Sequence, residues 1–142
     1  MKRILIISTV FLLSHLPLLA QSDCDIFRAY LINKEYKVNL RIDLYRQNIT
    51  VPGQDLYGEL PGYLWKQSNS FCWLITSAEV DDSGKTATLQ LINDYGSEDL
   101  TATLKAENDS VYVLKQIEGS TLKVPNNGKW QKLPKTLEFR RR

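Results

Sequence analysis

Imidazole is almost absent from this chain. Its one histidine, His15, lies within the first twenty residues, a stretch with the marks of an export leader. A mature chain without that leader has no histidine, which excludes Ser-His-Asp and Cys-His nucleophilic arrangements. Cysteine is nearly as scarce. Cys24 and Cys72 are too far apart in sequence for a zinc ligand pair, and no imidazole is left to complete such a shell. No metal site and no cofactor is expected. Apolar runs are also missing beyond residue 20, so no transmembrane segment is expected after leader cleavage.

The leader reading rests on Lys2 and Arg3, the mostly apolar run Ile4 to Leu19, and the ending Leu18-Leu19-Ala20, which suit a signal peptide cleaved before Gln21. A retained anchor is the alternative, but Ser14, His15 and Pro17 interrupt the run, which falls short of the ~20 residues that cross a bilayer. Lipid attachment at Cys24 is disfavoured because Gln21-Ser22-Asp23, rather than a small residue at the cut, precedes it. The expected organisation is a signal peptide over residues 1–20 and one domain over 21–142, secreted or periplasmic.

Cleavage removes two of the 18 basic residues and none of the 16 acidic ones, so the mature net charge is near zero. Nucleic acid is not expected as a partner. In an oxidising compartment a Cys24–Cys72 disulfide is the default expectation. Closing a loop of roughly fifty residues stabilises on the order of 4 kcal/mol in the chain-entropy model. A reactive thiol is the alternative, but Asp23 and Asp25 give Cys24 the wrong electrostatic surroundings.

Strand periodicity dominates what is present. Val38, Leu40, Ile42 and Leu44 alternate with Asn39, Arg41, Asp43 and Tyr45, as a half-buried strand requires. Ala87-Leu89-Leu91 and Leu100-Ala102-Leu104 repeat the pattern. Val111 to Leu114 and Leu137 to Phe139 add further strands. Shorter candidates run over 49–51, 56–65, 71–77 and 121–124, and 22–34 suits either a short helical turn or a first strand. Turn residues separate them at Pro52-Gly53, Asp81 to Gly84, Asn93 to Gly96, Glu107 to Asp109 and Pro125 to Gly128. The spacing predicts an all-β fold, an antiparallel up-and-down meander of about 8–10 strands closing into a barrel. A β-sandwich is the alternative.

Mature length, a meander of hairpins and an N-terminal arm together resemble the calycin group of lipocalin-like and fatty-acid-binding-protein-like barrels. The lipocalin glycine-any-tryptophan hallmark on the first strand is absent, since Trp65, Trp73 and Trp130 all come later. The ending Leu18-Leu19-Ala20-Gln21 and the stretch Gly128 to Lys135 resemble small uncharacterised proteins exported by a Gram-negative phylum rich in gut anaerobes.

Tyr57, Tyr63, Trp65, Phe71 and Trp73 fall on one predicted hairpin whose tip is Lys66 to Ser70. Such rings line a ligand site or stack on a sugar; alternatively they fill the core. The leading functional expectation is a non-enzymatic, lipocalin-like binding protein for a small apolar or glycan ligand. An exported interaction module or inhibitor, engaging an envelope or extracellular protein, is the second. Charge is segregated along the chain, with eight acids against two lysines over 79–109 and eight bases against two acids over 115–142, which suits an interaction face. A carboxylate-dependent hydrolase is third, because paired carboxylates need no histidine. Asp81 to Gly84 and Asn93-Asp94 lack calcium-loop spacing and read as turns. Asp109-Ser110-Val111 resembles the O-glycosylation signal of the same bacterial group, which makes Ser110 a modification candidate. Arg140-Arg141-Arg142 reads as a solvated tail.

Overall fold

A computed structural model describes residues 25–142. The expected signal peptide and Cys24 lie outside the described residues. The strands are β1 (Arg28–Asn33), β2 (Val38–Asp43), β3 (Ile49–Thr50), β4 (Glu59–Leu60), β5 (Gly62–Lys66), β6 (Cys72–Val80), β7 (Thr86–Asn93), β8 (Asp99–Ala106), β9 (Val111–Gly119), β10 (Lys123–Asn126), β11 (Lys129–Lys132) and β12 (Thr136–Arg141). Eight of them form one closed antiparallel barrel in the order β1-β12-β9-β8-β7-β6-β5-β2. The all-β barrel expectation is met, and the sandwich alternative is not.

With two short hairpins set aside, every barrel neighbour except the closing pair β1–β12 is also a sequence neighbour, so the meander runs up and down and its first and last strands close it. β3–β4 leaves the barrel between β2 and β5, and β10–β11 leaves it between β9 and β12. We call the first hairpin the flap and the second the plug. The plug turns at Asn127-Gly128, where both residues have positive φ (53° and 77°), as a two-residue turn matched to strand twist requires. Gly62 serves a different purpose. A Cβ there would lie 2.1 Å from the Arg41 carbonyl oxygen, so glycine permits the close approach of β2 and β5.

Alternation places one face of each strand inside. Leu31, Leu40, Leu64, Trp73, Ile75, Leu89, Leu91, Leu104, Tyr112 and Phe139 belong to one contiguous buried cluster that fills the barrel. An eight-stranded barrel is just wide enough for side chains to occupy its interior. Burial agrees with this, because Leu40, Leu64, Leu89, Leu104 and Phe139 are all fully buried.

Both ends of the barrel are stoppered. At one, Leu122 and Val124 around β10, together with Leu133, join the interior cluster, and the Trp73 indole donates to the Lys123 carbonyl at 2.9 Å. At the other, Phe27 and Tyr112 meet edge-to-face at 6.4 Å. There the Arg141 guanidinium donates to the carbonyls of Asp25, Ile26, Arg28 and Asp109 and to the Tyr112 hydroxyl. The β1–β12 seam has only two register pairs, Leu31↔Arg141 and Ile32↔Arg140, so this clasp completes closure where the ladder is shortest. Arg141 is therefore not part of a solvated tail. Its even spacing from Leu137 and Phe139 carries it to the mouth of the barrel.

Two segments depart from the sequence expectation. The 56–65 candidate is interrupted by a 3-10 turn at Asp55–Tyr57 and by Pro61. Strand β11 has the sequence Lys-Trp-Gln-Lys, with no apolar alternation to announce it; pairing with β10 makes it a strand.

Candidate functional site

The five expected ligand-contacting residues divide by strand parity. Tyr63 and Trp65 share one face of β5, and Cys72 and Leu74 share the corresponding face of β6, because the ladder pairs Tyr63↔Leu74 and Trp65↔Cys72. That face points outward. Phe71 and Trp73 have the opposite parity and point inward; Trp73 is fully buried. Tyr57 stands on the 3-10 turn of the flap, exposed. The rings thus form an outer pair, an inner pair and a lone tyrosine instead of one cluster.

The outer pair lies beside the flap. Ile49, Val51 and Leu60 fold back over Cys72 and Leu74, making a second apolar cluster outside the barrel that includes Tyr63. Tyr63 stacks on Trp65 with centroids 4.7 Å apart, and Tyr30 meets Trp65 edge-on at 5.5 Å. A concavity of about 440 Å³ opens between the flap tip (Val51, Pro52, Gly53) and this ring pair, with Asn69 and Ser70 supplying polar groups at its rim. Mostly apolar walls with a few convergent polar groups are the usual make-up of a small-ligand site. Burial raises the Tyr63 phenol above its ordinary pKa, against the opposing pull of the Arg41 guanidinium.

Cys72 is free and buried, so the expected Cys24–Cys72 disulfide is not formed. The physical reason is local. Cys72 packs on the outward face of β6 with Ile49, Val51 and Leu60 of the flap, where the thiol serves as a small apolar filler. Burial, reinforced by the Asp94 carboxylate, pushes its pKa up to about 12, so it stays protonated and unreactive at neutral pH.

The inner pair connects to the plugged end. Phe71 contacts Trp130 of β11 at 4.9 Å and Tyr95 of the β7–β8 turn at 5.9 Å between centroids. Asn93 organises that turn, its carboxamide accepting from the N–H groups of Ser97 and Glu98 and donating to the Ser97 hydroxyl and the Glu98 carboxylate. Glu98 in turn pairs with Lys123 at 3.1 Å, and the Lys123 ammonium stands 5.4 Å from the Trp130 ring centroid. Gln54 of the flap donates to Asp94, and the Tyr57 hydroxyl lies beside Gly96. Tyr95 and Trp130, which flank Phe71, are exposed, as are Leu56 and Tyr57 of the flap. No sequence signal joined Tyr95 and Trp130 to Phe71, because they come from separate hairpins.

Ser110 is exposed in the β8–β9 turn, its hydroxyl donating to Asn108 at 3.1 Å. Asp81 accepts from the Ser83 hydroxyl at 2.5 Å within the β6–β7 turn. Of the two oppositely charged segments, only Lys123–Glu98 joins one to the other as an ion pair among the described residues.

The fold defines a class: a closed eight-stranded antiparallel up-and-down barrel, compatible with a calycin-like barrel. No family model matches this chain, and neither a curated protein nor a solved structure matches it.

Proposed function

We propose that this chain is an exported, non-enzymatic binding protein that takes a small apolar or glycan ligand on the outside of a solid barrel. The observation that carries the reading is the flap concavity, where the stacked Tyr63 and Trp65 rings face about 440 Å³ of open space. An aromatic face suits a sugar ring or an aliphatic chain, and Asn69 and Ser70 supply the hydrogen bonds that orient it. The filled interior argues against a ligand held inside, as lipocalin-like barrels would hold one. Tryptophan fluorescence, titrated with a panel of oligosaccharides and lipids, tests the reading. A ligand-dependent change that disappears in Trp65→Phe and persists in Trp130→Phe supports it; silence across the panel overturns it.

A second reading is favoured by the exposed rings of Tyr95 and Trp130, which flank Phe71 at the plugged end. Aromatic residues are enriched at protein interfaces, and an envelope or extracellular protein docking on the plugged end would cover them. Retention of a partner from envelope extract that is lost on Trp130→Ala, with Trp65→Phe still active, selects this reading over the first.

A further inference from the structure

We propose that the polar groove between the outer face of β1–β2 and the base of the flap binds a small ligand carrying phosphate, sulfate or carboxylate groups. The groove has a volume of about 560 Å³, within the roughly 300–1,000 Å³ typical of small-molecule sites. Arg28 from β1, Arg41 from β2 and Arg46 from the following turn line it. All three are exposed, and none belongs to an ion pair among the described residues.

The lining's one carboxylate can offset only one of the three positive charges. Asp43 lies directly opposite Arg28 in the β1–β2 ladder, yet its Oδ1 accepts from the N–H groups of Tyr45 at 3.2 Å and Arg46 at 3.0 Å, closing the turn after β2. Three arginines thus line one concavity with a single carboxylate, and the surplus of positive charge favours an entering anion. Guanidinium forks match planar carboxylates and tetrahedral phosphates through paired, charge-assisted hydrogen bonds. Thr50 and Tyr30, also in the lining, add neutral hydroxyls.

The imbalance distinguishes this groove from other basic surface. The larger concavity of about 830 Å³ at the β1–β2 turn mixes its basic residues with Glu35 and Glu138, and Arg140 there is paired to Glu138 at 3.2 Å. Lys123 on the plug is paired to Glu98. None of Arg28, Arg41 and Arg46 belongs to the basic segment 115–142; the β1–β2 register, which sets Tyr30 against Arg41 and Arg28 against Asp43, assembles the site.

Isothermal titration of the intact mature chain at low ionic strength, with pyrophosphate and citrate as separate probes, tests the proposal. Saturable one-to-one binding of either probe is expected, weakened about tenfold or more by Arg41→Gln and unchanged by Lys129→Gln combined with Lys132→Gln on the plug. Failure of both probes to bind at millimolar concentration overturns it. So does binding that survives the combined Arg28→Gln, Arg41→Gln and Arg46→Gln changes in a protein with the parental circular dichroism. Should that triple variant not fold, amide shift mapping on the unmodified chain decides. Perturbation centred on Arg41, Arg46 and Thr50 supports the groove, and perturbation confined to β10–β11 contradicts it.

Discussion

The two faces of the β5–β6 hairpin have opposite fates. Leu64 and Trp73 on the inner face are fully buried in the barrel cluster. Tyr63, Trp65 and Cys72 on the outer face meet a thin cover from the flap, with open space beside it. One residue of offset along a strand separates scaffold from surface. A barrel of this size thus need not be a container, because its outer face can carry rings and grooves while its interior only holds the shape.

Truncation experiments can break that comparison. The largest effect is expected inside: Trp73→Ala should destabilise by about 3–5 kcal/mol, read from denaturant unfolding, and a cost below about 1 kcal/mol would mean an interior looser than described. Under the flap, Leu74→Ala should cost about 2–3 kcal/mol, less than the inner truncation because a smaller side chain leaves a smaller cavity. At the clasp, Arg141→Ala should cost about 1–2 kcal/mol through lost charge-assisted hydrogen bonds. Arg142, whose side chain overlies the Tyr30 ring at 5.2 Å and whose backbone N–H donates to the Tyr30 carbonyl, a bond that alanine keeps, should tolerate alanine within about 0.5 kcal/mol. Equal effects at Arg141 and Arg142 would return the basic tail to solvent.

Alkaline pH sharpens the same contrast. Burial raises the Cys72 thiol from 9.0 to about 12, so above pH 9 the unfolded chain loses a proton that the folded chain keeps. Stability from this group is intact below pH 9 and is lost as pH rises toward about 12. Tyr63 and Tyr112, both raised by burial, add to the decline in the same direction. Cys72→Val should flatten the slope of unfolding midpoint against pH over that interval, and an unchanged slope would place the thiol in solvent.

Much of this was legible in the sequence. Alternation at Val38 to Leu44, Ala87 to Leu91 and Leu100 to Leu104 predicts strands whose apolar residues are buried, although Asn39 and Asp43 on the other face of the first are buried too, and turn residues separate them where the hairpins turn. What stayed hidden depends on pairing. Arg28, Arg41 and Arg46 meet only through the β1–β2 register and the turn that follows. Trp130 reaches Phe71 only because the plug folds across the mouth, and Tyr95 only because the β7–β8 turn lies beside it. The disulfide expectation followed from compartment chemistry, which carries no information about the flap that buries Cys72. The aromatic hairpin was visible as composition, but parity divides its rings between two faces, and sorting them requires knowing which side of the sheet is covered.

The three indole N–H resonances give the most direct test of a solid barrel with its ligand outside, since Trp73, Trp65 and Trp130 report on the interior, the flap concavity and the plugged end. Titration with a ligand from the oligosaccharide and lipid panel should shift Trp65 while Trp73, held by its bond to the Lys123 carbonyl, stays in place. A saturable shift at Trp73 with Trp65 unmoved would put the ligand inside the barrel and contradict the account.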